Sequence, residues 1–362
     1  MEHFPGSKAP VLTHFPGARA VDERSSVFSN TTTARKEVAM TYPHVPVLLD
    51  MCVELLGHGI EEARARGIAP VVIDFTLGMG GHSEGILRVF DDVHVIGIDR
   101  DPAAIEIATS RLAPFGSRFE AVCTSDDNIS EVLEQRGNPP ISGVLFDLGV
   151  SSLQLDDDAR GFSYSRDTPL DMRMNPTEGI SAADVLATYS ENDLTRIIST
   201  YGEERYARRI ARAIVADREH TPWTSTQQLA DLIGRIVPDP KNQRKRSHPA
   251  KRTFQALRIE VNDELGNITR SLPAALSALH LGGVAVVESY QSGEDIIVKR
   301  IFRQGTTVQA PPDLPVVPDH LKPWLEEIVR GAYKAPQEEI DHNPRAASVR
   351  LRAVRKTGVD PA

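Results

Sequence analysis

VVIDFTLGMGGHSEG, residues 71–85, joins a short apolar run to a glycine-rich turn and then to a helical pattern. A buried strand, a glycine turn and a helix in that order open a βαβ unit, where backbone can approach a bound ligand closely. The neighbouring stretches repeat the plan. VHVIGID (93–99) reads as a strand and 102–112 as a helix, with Asp101 as N-cap and Pro102 at its first position. RFEAVC (118–123) and GVLFD (143–147) read as strands on either side of a short helix over 129–135. Upstream, Pro46 opens a helix with Leu48, Leu49, Cys52, Leu55 and Leu56 on one face. Strands alternating with helices predict a parallel sheet covered on both sides.

The alternation stops after 154. Residues 155–247 offer no strong strand and read as helices at 182–188, 191–199, 203–217 and 225–236, an inserted helical unit. One long helix is expected over 252–272, a strand at GGVAVVESY (282–290), a helix at DIIVKRIF (295–302) and a last strand at SVRLRAVR (348–355). The core is therefore expected to comprise 41–154 and 248–362. Residues 305–345 are proline-rich and read as a surface loop with a short helix around Trp324. Residues 1–40 show no apolar period and read as a disordered extension, in which HFPG occurs at His3 and again at His14.

Composition narrows the class. The 362 residues are 40% hydrophobic and 25% charged, as in ordinary globular chains. No apolar run reaches the roughly 18 residues of a membrane span, and no charged-then-apolar leader is visible, so a soluble cytoplasmic protein is expected. The two cysteines, Cys52 and Cys123, form neither a disulfide framework nor a metal cluster and read as two buried thiols. Net charge is −9. That argues against indiscriminate nucleic-acid binding, although a whole-chain sum can hide a local basic patch.

In an open parallel sheet, ligands bind beyond the carboxyl ends of the strands. Gly78, Gly80 and Gly81 follow the first strand, and Asp99 ends the next, where an acid bonds ribose hydroxyls. A dinucleotide loop wants a third glycine, but Ser83 stands there. Asp74 precedes the loop, and a carboxylate suits the ammonium and sulfonium of S-adenosylmethionine better than a pyrophosphate. S-adenosylmethionine is favoured over NAD.

A second constellation follows the fourth strand. Asp147 is placed to accept a hydrogen bond from a substrate amine, with Ser151, Ser152 and Gln154 in a polar turn after it. Residues 161–174 mix Phe162, Tyr164 and Met172 with Arg166 and Arg173, a composition that stacks bases and holds phosphates, or equally packs a loop on itself. Arg205, Arg208, Arg209 and Arg212 share a face, and KNQRKRSHPAKR (241–252) has six basic residues and no acid. Phosphate backbone is the natural partner of such stripes. In the next helix Phe254, Leu257, Val261 and Leu265 make a core stripe, with Arg252 and Asn262 beside it. His248 and Arg252 would position a substrate if that helix starts near the crevice, and are otherwise surface residues.

HVPVLL (44–49), DFTLGMGGHS (74–83), GIDRDPAAI (97–105), LFDLGVSSLQLDDDARGFSYSRDTPLDMRMNP (145–176), TYGEERYARRIARAI (200–214), HPAKRTFQALRIEVNDEL (248–265) and NPRAASVRLR (343–352) together resemble the bacterial 16S ribosomal RNA cytosine-N4 methyltransferase family. The resemblance covers 42 to about 355. It implies a Rossmann-like methyltransferase core with an inserted helical substrate domain, and S-adenosylmethionine as methyl donor. It also implies a cytidine of the decoding region, within the small ribosomal subunit, as substrate. Donor contacts carried over by motif are Gly80, Gly81, His82, Asp99, Asp147 and Gln154. Asp126 aligns where family members often carry an aromatic. The family's S-F/Y-H-S-L-E-D motif is SYQSGED here, so Gln291 and Gly293 replace a histidine and a leucine. Methyl transfer to an exocyclic amine needs the nitrogen held in line at about 3–3.5 Å and an acceptor for its proton. Asp147 is the candidate acceptor, and no metal is required. The rival readings are a NAD-linked oxidoreductase, a non-catalytic ribosome-assembly factor and a small-molecule methyltransferase.

Overall fold

A computed structural model describes residues 45–238, 248–310, 317–318 and 321–360. The expectations for residues 1–40 and for the basic run 241–247 lie outside the described residues. Helices and strands follow in the order α1 (Leu49–Ala65), β1 (Val71–Asp74), α2 (Gly81–Val89), β2 (His94–Asp99), α3 (Pro102–Leu112), β3 (Phe119–Cys123), α4 (Ile129–Glu134), β4 (Ile141–Asp147) and α5 (Ser152–Asp156). A helical stretch continues with α6 (Ala182–Thr188), α7 (Glu191–Thr200), α8 (Ala207–Arg218), α9 (Thr226–Ile236), α10 (Lys251–Asn262) and α11 (Glu264–Ala278). The chain returns to the sheet with β5 (Leu279–Ser289), α12 (Ser292–Thr306), β6 (Leu325–Glu327), α13 (Gln337–His342) and β7 (Arg350–Lys356).

The strands form one sheet in the order β3-β2-β1-β4-β5-β7-β6. The first five are parallel, and β7 runs antiparallel to both β5 and β6. This is the parallel α/β sheet expected from the alternating pattern, and the Rossmann-like core that the resemblance implies. Period-2 alternation divides the strand side chains between two apolar layers. Ile73, Ile98, Val144 and Phe146 pack against α4, α11 and α12, whereas Val72, Val95, Leu145 and Val286 pack against α1, α2 and α3. Phe75 and Phe146 stack at 4.2 Å between ring centroids. A third apolar cluster lies among α6, α7, α8 and α9, and α10 contributes Phe254 and Leu257 to it.

Local chemistry fixes several ends as read. Asp101 accepts from the Ala103 N–H and Pro102 starts α3. Ser181 and Ser225 close capping boxes on α6 and α9. Four expectations need correction. The single helix over 252–272 is two helices, because Asp263 adopts left-handed φ 48° and separates α10 from α11. The predicted stripe divides there, with Phe254, Leu257 and Val261 in the helical cluster and Leu265 against the sheet. The helix expected from 203 begins at Ala207, since Glu203 takes φ 50° and the Glu204 carboxylate accepts from the Tyr206 N–H. Trp324 lies in no helix; its carbonyl accepts from the Thr357 and Gly358 N–H groups and leads into β6. Cys52 is buried as expected, but Cys123, at the end of the edge strand β3, is exposed.

Helix α1 lies so close to β4 and β5 that a Cβ on Gly59 would sit 2.1 Å from the Ser142 carbonyl oxygen. Backbone cannot yield as a side chain does. Gly59→Ala is expected to destabilise the fold by about 3 kcal/mol, read as a lowered urea midpoint; an unchanged midpoint contradicts this packing.

Candidate functional site

Four acidic residues end adjacent parallel strands. Register sets Asp74 beside Gly97 and Leu145, Asp99 beside Cys123, and Asp147 beside Glu288. Asp99 and Asp147 line a crevice of about 520 Å³ over this edge. Asp74 and Glu288 are buried.

The glycine loop forms one wall. Leu77 N–H donates to the Ile98 carbonyl, and Leu77 fills the space beside Gly97. Gly78 and Gly80 take φ 51° and 78°, where a Cβ is strained. Gly81 lines the crevice, and a Cβ there would lie 2.5 Å from Pro46. Asp99 receives the Gly78 N–H on Oδ2 at 2.8 Å and the Asp101 N–H on Oδ1 at 2.9 Å, which fixes the carboxylate's orientation. Burial, reinforced by the charge of Asp101, pushes Asp99 up to about 6 against these two bonds.

Asp147 lines the crevice next to this loop. Its N–H donates to Thr76 Oγ1 at 2.6 Å, and the Tyr290 hydroxyl donates to its Oδ1 at 2.7 Å. His82 Nδ1 lies 3.8 Å from Oδ2, while His82 Nε2 donates to the Val47 carbonyl at 3.0 Å. Burial pushes Tyr290 well up, as do the negative charges of Asp147 and Glu288, so the phenol stays a proton donor. Burial, with Asp147 beside it, likewise holds Glu288 well above the usual carboxylate range.

The sequence-predicted residues divide into two groups. Gly81, His82, Asp99, Asp126, Asp147 and Gln154 line the crevice. Gly80 sits behind them, its α-carbon turned toward Leu112 and Ala108 of α3. The Asp126 carboxylate is held by Arg100 and Ser271. Gln154 closes a capping box with Ser151 and donates to Asp101.

The five substrate candidates are absent from the crevice lining. Arg166 is exposed and paired with Asp158, and Arg173 is paired with Asp171. His248 stacks on Tyr164 at 4.7 Å, and Arg252 donates to the Glu203 carbonyl. Asn262 is buried and structural: Oδ1 accepts from the Met174 N–H, and Nδ2 donates to the Met172 and Arg258 carbonyls. Gln291, which replaces a histidine of the resembled family, is the N-cap of α12 and shares a capping box with Glu294.

Three residues escaped the sequence reading. Thr76 anchors Asp147. Tyr290 follows β5 directly, so the strand-end rule applied to β4 would have found it. Arg160 pairs with buried Asp101 at 3.0 Å and donates to the carbonyls of Arg173 and Met174. The arrangement offers a fixed carboxylate at Asp99, a glycine wall that allows close approach, and carboxylates rather than a lysine at the strand ends.

Comparison with known proteins agrees. A sequence model described as the MraW methylase family matches residues 41–357. A Renibacterium salmoninarum protein named ribosomal RNA small subunit methyltransferase H is 53% identical over 313 residues, covering 86% of this chain and 94% of that one. Proteins of the same name from Beutenbergia cavernae and Mycolicibacterium smegmatis are 52% and 48% identical, over 88% and 96% of this chain and 94% and 95% of theirs.

Proposed function

Because the chain belongs to the MraW methylase family, we propose that it methylates the exocyclic N4 amine of a cytidine in the decoding region of 16S rRNA, within the small ribosomal subunit and in the cytoplasm. S-adenosylmethionine supplies an electrophilic methyl group when bound. The observation that carries the reading is Asp147, whose carboxylate is held by the Tyr290 hydroxyl at the end of β4 and lines the crevice beside the glycine loop.

Gly81 and His82 form the wall for the donor, with Gly80 behind them shaping the turn; Asp99 takes the ribose hydroxyls, and Asp126 and Gln154 complete the enclosure. Asp147 accepts a hydrogen bond from the target amine, which localises the nitrogen lone pair. It takes the proton as the N–C bond forms and the methyl–sulfur bond breaks, the electron pair of that bond leaving on sulfur as a neutral thioether. The target base must leave its stack to reach the pocket, which costs least in irregular RNA. The helical unit, 155–247 together with α10, is read as the RNA-recognition part. Its exposed Arg205, Arg208, Arg209 and Arg212 offer contacts to phosphates. Arg166, Arg173, His248, Arg252 and Asn262 lie off the crevice, so any contact they make falls outside the target pocket. Small subunits lacking the modification should take label from methyl-labelled S-adenosylmethionine, whereas large subunits and transfer RNA should not. Label in all three, or in none, counts against this substrate.

Donor binding should depend on pH through Asp99. Burial pushes its carboxyl up to about 6. Ribose hydroxyls donate to the ionised form, so binding favours the deprotonated state and weakens as pH falls below about 6, by up to about tenfold per unit. Calorimetric titration between pH ~5 and ~7 should show this slope. The Asp99→Asn variant should lack it. A flat wild-type profile contradicts the assignment.

A further inference from the structure

The Asp147 carboxylate has two oxygens, and a target amine can use only one of them productively. The structure distinguishes the two. Oδ1 receives the Tyr290 hydroxyl at 2.7 Å. Oδ2 has His82 Nδ1 at 3.8 Å, beyond hydrogen-bond distance. The backbone end of the same residue is tied to Thr76. Tyr290 comes directly after β5, the strand whose Glu288 is in register with Asp147. Gly149, at φ 108°, runs beside its ring: a Cβ there would lie 3.9 Å from Tyr290 Cδ2, an ordinary contact.

Resting on the reading that Asp147 accepts the amine hydrogen, we infer that Tyr290 is a positioning residue whose hydroxyl occupies Oδ1 and so directs Oδ2 to the target nitrogen. The phenol touches neither the donor nor the base in this role; it acts through Asp147. It also does electrostatic work. Asp147 is faced by Asp74 from β1, Glu288 from β5, Tyr290 after β5 and His82 from α2. Cys52 of α1 faces Glu288 and Tyr290, and Glu339 of α13 adds charge near Glu288. In such acidic company a hydroxyl donor on Oδ1 offsets part of the repulsion among the carboxylates. The hydroxyl is therefore both a geometric stop and a charge-stabilising contact.

Tyr290→Phe separates these contributions from packing, because the ring stays and only the hydroxyl is lost. With unmodified small subunits as substrate, kcat should fall about ten- to a hundredfold, the range for one hydrogen bond to a charged group. KM for donor and for subunits should stay within about twofold. The acid limb of the kcat–pH profile should move to higher pH, a change that a packing role would not produce. A kcat within about twofold of wild type, or a loss matched by donor affinity with the acid limb unmoved, overturns the inference. Asp147→Asn keeps the two levels apart. If that variant is inactive while Tyr290→Phe behaves as wild type, only the Tyr290 inference fails. If Asp147→Asn is as active as wild type, the reading of Asp147 fails and takes this one with it.

Discussion

Asp147→Asn is expected to lower turnover by about two to four orders of magnitude while leaving donor affinity within about threefold. The substitution is nearly isosteric, so the Thr76 bond to the backbone N–H should persist. Its effect comes from which atom faces the amine. Tyr290 donates its hydroxyl to Oδ1. In the variant the amide oxygen will take that position, because only the oxygen can accept, and the NH2 group will turn toward Oδ2's place. A donor then meets a donor at the target nitrogen, and no group remains to receive the proton. Single-turnover methyl transfer measures the first effect and calorimetry the second. Equal losses in both would make Asp147 a donor-binding residue and remove it from the chemistry.

Arg160→Leu has the largest expected effect on stability. The guanidinium is about one-tenth exposed and pairs with Asp101, whose side chain is wholly buried. It also donates to two carbonyls in the loop that follows. Asp101 in turn caps α3 and accepts from Gln154. Removing the cation leaves a buried carboxylate uncompensated, which costs about 3–5 kcal/mol in such pairs. Urea unfolding should register a loss in that range. Arg160→Lys should lose less, since charge survives but the fork that reaches Asp101 and both carbonyls does not. A loss below about 1 kcal/mol for the leucine variant would show that water replaces the pair.

Arg160 also shows what the sequence made legible and what it did not. Strands and helices of the sheet were readable because their signals are local: apolar runs, Asp101 before Pro102, serines ahead of helical patterns. The break at Asp263 was not, since aspartate occurs in helices as well as in left-handed turns. Nor was the role of Trp324, whose carbonyl is bonded to residues beyond β7. The crevice followed the same division. Carboxylates at strand ends could be placed from strand order alone, and Asp99 and Asp147 stand where that argument puts them. Arg166 and Arg173 rest on composition, which cannot tell an arginine facing a ligand from one paired to Asp158 or Asp171. His248, Arg252 and Asn262 rest on their place on a helix whose position relative to the crevice the sequence does not give. Tyr290 reaches Asp147 across 143 residues of sequence, a contact that only the folded sheet creates.

Methylated small subunits, digested to nucleosides and resolved by chromatography with mass spectrometry, would identify the modified atom. One new product, N4-methylcytidine, is expected from the wild-type protein and is lost with Asp147→Asn. Methyl on a ring carbon, on another base, or on N4 with undiminished yield from Asp147→Asn would contradict this reading.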